Sequence, residues 1–248
     1  MKLDFYYWGS MCPIANEILY LLNTYKSKID VHVYDITNNT KLAKQENIFF
    51  PFLTVVNDEY RFYSPISESF LKALLKGEIP QELPYRISLG NIEKTANIEK
   101  ITYKNYSLAS QCTDRKNCLY CNEKVHMYSS LKNEVIGFMN VEGNSVLGGA
   151  EFYPSLYVPY DIPKAEDIAF ITCVYLSDED YDYKSAPLKA LENYLSQQYK
   201  YVEVITDEIG TFPNGNLDFF KQHAYHDDGV IFEDAYCKLH LMSKKLLQ

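Results

Sequence analysis

Six cysteines carry most of the candidate chemistry in this 248-residue chain: Cys12, Cys112, Cys118, Cys121, Cys173 and Cys237. Cys12 stands between an apolar run, Leu3 to Tyr7, and an apolar segment of helical spacing, Ile14 to Leu22. A thiol at a helix N-terminus is acidified and presents more thiolate, the form that reacts. Cys112, Cys118, Cys121 and His126 form a second constellation, with the ligand types and one pair spacing of a tetrahedral zinc site. It has a single Cys-x2-Cys pair, and a polar run, Thr113 to Asn117, separates Cys112 from it. Spacing of this kind arises often without a metal, so free thiols are favoured over zinc. Thiol exchange between Cys118 or Cys121 and Cys12 is a third reading. Cys173 and Cys237 lie in apolar runs and read as small buried residues. His223 and His226, beside Asp227 and Asp228, read as a solvated helix end.

These residues need elements to position them. Residues 1–80 read β-α-β-α-β-β-α, with a hairpin at Asn57-Asp58 and a last helix begun by Ser67 and stopped by Gly77 and Pro80. A linker is expected over 81–98. From 99 to 248 the pattern is a strand near Lys100 to Lys104, a cysteine-bearing segment over 109–132, and two strand-like runs joined by a turn at Glu142 to Asn144. A nearly unbroken apolar strand follows, Asp167 to Leu176, of the kind buried on both faces. Then come an acidic loop, a helix from about Pro187, a strand at Tyr201 to Ile205, a helix at Leu217 to His223 and a closing strand. The fold class is therefore α/β in two domains.

The first 80 residues resemble the thioredoxin and glutaredoxin family, on Trp8 to Ala15 read together with Phe50, Pro51 and Phe52. The resemblance implies that Cys12 opens a helix and faces Pro51, which starts the next strand. The family pattern is Cys-x-x-Cys, and here Ala15 stands at the second position. A register with Gly9 and Cys12 at the two positions is the alternative. With one thiol, the resemblance implies a monothiol mechanism; the competing reading is a degenerate fold kept for docking or dimerisation, with a homodimer as one outcome.

Residues 99–242 resemble the GNAT acyltransferase superfamily. The pieces are Ile171 to Tyr175, Pro187 to Leu195, Tyr199 to Ile205 and Leu217 to Tyr225, with Gly148 to Pro154 similar to a YoaP-like branch. The resemblance implies acetyl-CoA as cofactor, its thioester oriented by the backbone of Cys173, Val174, Tyr175 and Leu176. Its pyrophosphate would lie on amides of Tyr183, Lys184, Ser185 and Ala186, at a helix N-terminus. Glu151 is the candidate base. Phe220 aligns with the tyrosine that commonly protonates the departing thiolate, which leaves Tyr225 and Tyr183 as substitutes. The loop from Asp178 to Pro187 departs from the family: it has no glycine and carries four carboxylates.

A net charge of −9 argues against nucleic acid and anionic membranes as partners. No apolar run approaches the ~18 residues of a membrane span, and Asp4 interrupts any signal-like start. A cytoplasmic location with reduced thiols is the expectation. The leading function is acyl-CoA-dependent N-acyltransfer to a small amine. The alternative is a thiol-dependent redox or sensor protein, acting on a small thiol, whose second domain binds a ligand without catalysis.

Overall fold

The computed structural model describes residues 1–81, 90, 92–110, 112, 121–129, 131, 134–176, 180–210 and 214–247. The chain divides into two compact units: Met1–Pro84 with Pro159–Asp161, and Tyr85–Val158 with Ile162–Gln248.

In the first unit the order is β1 (Lys2–Tyr7), α1 (Pro13–Tyr25), β2 (Asp30–Asp35), α2 (Thr40–Gln45), β3 (Phe52–Val56), β4 (Tyr60–Phe62) and α3 (Glu68–Leu75). The sheet order is β2-β1-β3-β4, with β1 and β2 parallel and the other pairs antiparallel. Every residue of β3 is buried, as a central strand covered on both faces requires. Helix α1 buries Ile14, Ala15, Ile18 and Leu22, the stripe that helical periodicity places on one side. Pro13 suits its first turn, where the missing N–H has no helical partner to lose. Asn57 and Asp58 have φ of 53° and 59°. Two left-handed residues are what a tight hairpin with the native strand twist needs. Ser67 caps α3 by accepting from Phe70 N at 3.3 Å. Three residues from far along the chain complete this unit. Tyr160 is 3 % exposed, edge-on to Trp8 with ring centroids 5.2 Å apart, and Asp161 pairs with Lys44 at 3.0 Å.

In the second unit β5 (Asn97–Ile101), α4 (Tyr106–Ala109) and α5 (Cys121–Ser129) precede the hairpin of β6 (Gly137–Glu142) and β7 (Ser145–Pro154). Next come β8 (Ile168–Leu176), α6 (Ser185–Leu195), β9 (Tyr201–Asp207), α7 (Leu217–Gln222), β10 (His226–Glu233) and β11 (Lys238–Lys245). They build one seven-stranded sheet in the order β10-β11-β9-β8-β7-β6-β5. Among the described strands of this sheet only β8 and β9 run parallel, joined by α6, because a parallel pair needs a crossover. Ala150, Phe152, Ala169, Ile171, Val174, Val202 and Val204 meet Leu188, Leu191, Leu195, Phe219 and Phe220 in the main core.

Two expectations are corrected. The linker set at 81–98 is too long: Asn140 donates to Lys94 O and accepts from Ala96 N, both at 2.9 Å, and β5 begins at Asn97, so residues 94–98 are already joined to the second sheet. Cys173 is not the buried core residue its apolar run suggested. Glu151 pairs with Cys173 and Phe152 with Ile171, so Thr172 is an extra, unpaired residue on β8. Such a bulge reverses the alternation of side chains. Ile171 and Val174 face the core with α6, whereas Cys173 is only half-buried.

Candidate active site

Helix α6 follows the acidic loop, and its N-terminus was expected to offer amides to a pyrophosphate. Those of Lys184 and Ser185 both donate to Oδ1 of Asp182, at 2.9 and 3.1 Å, and the Ser185 hydroxyl donates to Oδ2. Asp182 is itself fixed, since its N–H donates to Ile92 O at 2.9 Å and its carbonyl accepts from Lys94 N at 3.0 Å. A carboxylate of the chain therefore sits where an anionic ligand would, satisfying two of the orphan donors of a helix end. Tyr183 is buried, 5.8 Å from Tyr181 ring to ring. Ala186, the last of the four expected amide donors, is half-buried within the first turn.

Lys184 departs furthest from expectation. Rather than reaching for an anion from the loop, its side chain runs inward and is 2 % exposed. Its Nζ donates to Asn214 O at 3.1 Å and lies 4.7 Å from the centre of the Phe219 ring. Gly215 makes the room: a Cβ there would approach Nζ to 2.7 Å. Burial lowers the Lys184 pKa to about 8, against the smaller opposing influence of Cys173 and Asp182.

Asn214 occupies the place where the parallel strands part. The pairing of β8 with β9 covers Ile168 to Ile171 against Tyr201 to Val204. Beyond it, Asn214 Oδ1 accepts from Val174 N at 3.1 Å and Nδ2 donates to Ile205 O at 2.9 Å. One amide side chain thus links the two strands across their gap. Thr206 Oγ1 donates to Gly215 O at 2.6 Å and holds the same loop. Asn214 was missed in sequence reasoning because an isolated Asn beside Gly reads as a turn.

On the opposite face of β7 and β8 lies a buried polar group. Glu151, 1 % exposed, pairs with Lys124 Nζ at 2.6 Å, and Lys124 is 4 % exposed. Tyr106 donates to Glu151 at 3.5 Å. The Lys124 ammonium also stands 5.6 and 5.9 Å from the ring centres of Tyr106 and Tyr128. Burial pulls the ammonium down, yet Glu151 beside it carries it above its ordinary value. The Tyr175 ring lies across Gly149, where a Cβ would meet its Cζ at 2.4 Å, and its hydroxyl is raised by burial first and by Glu151 next. Thr172, displaced by the bulge, is 3.4 Å from the Tyr128 hydroxyl. Glu151, the expected base, is therefore held in an ion pair. Leu176 ends β8 opposite Gly148.

Tyr225, the expected substitute acid, is not brought to the strand gap. It is buried, with a Lys244 ammonium 5.4 Å from its ring centre. Burial, then the Glu192 carboxylate, raise its hydroxyl well above the ordinary range. Glu192 is in turn paired with Lys244 at 2.6 Å. Phe220, aligned with the usual acid, is fully buried.

In the first unit Cys12 is half-buried and is the residue that caps α1, with extended φ and ψ of −115° and 118°. Ala15 is wholly buried one turn on. Pro51 O accepts from Trp8 N at 2.9 Å, which ties the segment before Cys12 to the start of β3. Burial, then Cys12, push the Tyr160 hydroxyl well above its ordinary value. Tyr160→Ala is expected to cost about 3 kcal/mol, the range for emptying a buried aromatic site. Denaturant unfolding of the variant beside wild type reads the loss.

Of the expected zinc ligands, Cys118 lies outside the described residues. Cys112 is half-buried before α5, and Cys121 and His126 lie on α5, where His126 is exposed. Among the described residues no group of three His, Cys, Asp or Glu is placed to hold a metal. No described helix is long and apolar enough to cross a membrane. Sequence reasoning also missed His240, which is 7 % exposed, with Nδ1 2.8 Å from Asp227 and Nε2 3.3 Å from Glu208.

No protein-family model matches the sequence, and no curated protein does. Solved structures similar to part of it include three described as acetyltransferases. An N-acetyltransferase from Staphylococcus aureus Mu50 is 14% identical with a TM-score of 0.46, covering 62% of this chain and 100% of its own. An aminoglycoside 6'-acetyltransferase type Ii is 13% identical with a TM-score of 0.45, over 62% of this chain and 99% of its own. An aminoglycoside 6'-N-acetyltransferase complexed with coenzyme A is 13% identical with a TM-score of 0.46, over 62% of this chain and 98% of its own.

Proposed function

We propose that the second unit is a GNAT-like domain and that the protein is an acyl-CoA-dependent N-acyltransferase acting on a small amine. The observation that carries this reading is the gap between β8 and β9, which opens after Ile171 and Val204 with α6 beginning on the connection between the strands. A thioester laid along β8 would enter this parting, where Asn214 Oδ1 already takes Val174 N. Acetyl-CoA would supply the activated acyl group. This chain's residues would orient it, with the backbone of β8 on the pantetheine and the first turn of α6 on the pyrophosphate. The amine would attack the thioester carbonyl directly. The experiment is release of free CoA thiol from acetyl-CoA in the presence of small primary amines. Amine-dependent release supports the reading; release no faster than spontaneous hydrolysis across the panel contradicts it.

Asp182 is the internal competitor for the pyrophosphate. Capping by its carboxylate is worth about 1 kcal/mol, near the 1.4 kcal/mol that corresponds to a tenfold change in affinity. Asp182→Ala is therefore expected to raise acetyl-CoA affinity about tenfold while lowering stability by about 1 kcal/mol. Unchanged or weaker binding by a folded Asp182→Ala protein would show that the pyrophosphate does not use this helix end.

The same carboxylate favours a second reading. A helix end already neutralised suits a domain that no longer binds CoA, with the chemistry residing in the first unit. There the sheet order β2-β1-β3-β4, with Cys12 at the start of α1 and Pro51 before β3, supports a thioredoxin-like module. Ala15 leaves no second thiol to resolve a mixed disulfide, so the module would work as a monothiol on a small thiol or a protein. A Cys12 thiol with the ordinary alkylation pH profile would contradict this.

A further inference from the structure

Lys184 is a buried ammonium that the steps above do not use, and the acyl transfer lacks a group to protonate the thiolate it releases. We propose that Lys184 is the proton donor to the departing thiolate, an assignment that rests on the acyltransferase reading. In that step the acceptor nitrogen forms a bond to the acyl carbon and the carbon–sulfur bond breaks. The sulfur takes a proton from the Lys184 ammonium. The proton shed by the new amide nitrogen restores the lysine through solvent, so no other reactant is needed.

The placement carries the assignment. Asn214 bonds to Val174 N through its side chain and to Lys184 Nζ through its carbonyl, both at 3.1 Å. The ammonium is thus one residue away from the strand amide along which the thioester is proposed to lie. An ammonium has three protons, and the Asn214 carbonyl takes one of them. On its other sides stand the Phe219 ring of α7 and Gly215, neither of which carries a charge. The charged or titratable groups acting on it are Cys173 of β8 and Asp182 of the preceding loop, and both favour the ammonium. Burial opposes them and leaves a donor that gives up its proton near neutral pH, the condition for efficient general acid catalysis. Of the alternatives, Phe220 has no proton to give, Tyr225 is held at Glu192 and Lys244, and the Tyr183 ring lies against Lys94 and Tyr181.

The test is the pH dependence of kcat for CoA release, compared between wild type and Lys184→Met, with the KM for acetyl-CoA followed in parallel. An acid that must be protonated makes kcat fall as pH rises past about 8. Lys184→Met should lower kcat about 100-fold, abolish that alkaline fall and leave KM for acetyl-CoA within about twofold. Lys184→Arg, where it folds, keeps a proton that does not titrate and should also remove the fall. An alkaline fall that persists in Lys184→Met, or a kcat within about threefold of wild type, overturns the assignment while leaving the acyltransferase reading intact. Failure of wild type to bind acetyl-CoA overturns both.

Discussion

Lys124→Met is expected to destabilise the protein by about 3–5 kcal/mol, because it strands the Glu151 carboxylate in the interior. Glu151 is 1 % exposed, with Lys124 at 2.6 Å and the Tyr106 hydroxyl as a further partner. Glu151→Met should cost a similar amount by leaving the ammonium unpaired. The double replacement, Lys124→Met with Glu151→Met, should lie close to wild type, since a well-packed apolar pair often equals a buried ion pair. Urea unfolding of the four proteins gives the coupling directly. A coupling above about 2 kcal/mol is the expected result; additive single losses would mean that the two side chains are solvated independently. The pH behaviour has a definite sign. The Lys124 pKa is raised in the folded protein, so its contribution is complete below the unfolded value of 10.5 and fades only as pH climbs toward the higher folded value.

Lys184→Met is expected to act in the opposite direction and to stabilise the protein at pH 7 by about 1–3 kcal/mol. Here the ammonium is buried with a carbonyl as its hydrogen-bond partner, and its pKa falls from 10.5 to about 8. Between those values the unfolded chain holds a proton that the folded chain has released. Stability of the wild type should therefore rise with pH from about 8 to 10.5, at no more than 1.4 kcal/mol per pH unit. That rise should vanish in Lys184→Met. Thermal unfolding across this range checks both; a variant less stable than wild type at pH 7, or one that keeps the slope, contradicts the account. A residue that destabilises the fold and is nevertheless placed at the strand gap is what a stability–activity trade-off looks like.

Local rules made the elements legible. Asn57-Asp58 marked a hairpin, Ser67 and Gly77 bounded a helix, and the apolar stripe of α1 named its buried face; each signal lies within a few residues of the feature it reports. The site was less legible because its features depend on distant partners or on one-residue shifts. The bulge at Thr172 leaves no compositional trace, yet it leaves Cys173 only half-buried. Asp182 is one of the four carboxylates of the loop in the sequence, and in the structure it accepts from the first amides of α6. Nothing local marks the Lys184 side chain for the interior, since lysine is rarely buried and the room for it depends on Gly215, 31 positions further along the chain. Glu151 gave no sign that Lys124, 27 positions earlier in the chain, would neutralise it. Tyr160 was assigned with its chain neighbours to the second half, and an aromatic contact with Trp8 counts it with the first unit instead.

The most direct test of the central claim is calorimetric titration of the reduced wild-type protein with acetyl-CoA. The account predicts saturable binding of one acetyl-CoA per chain, tightened about tenfold by Asp182→Ala. No saturable heat up to millimolar acetyl-CoA, in wild type and in Asp182→Ala alike, would contradict it and move the chemistry to Cys12.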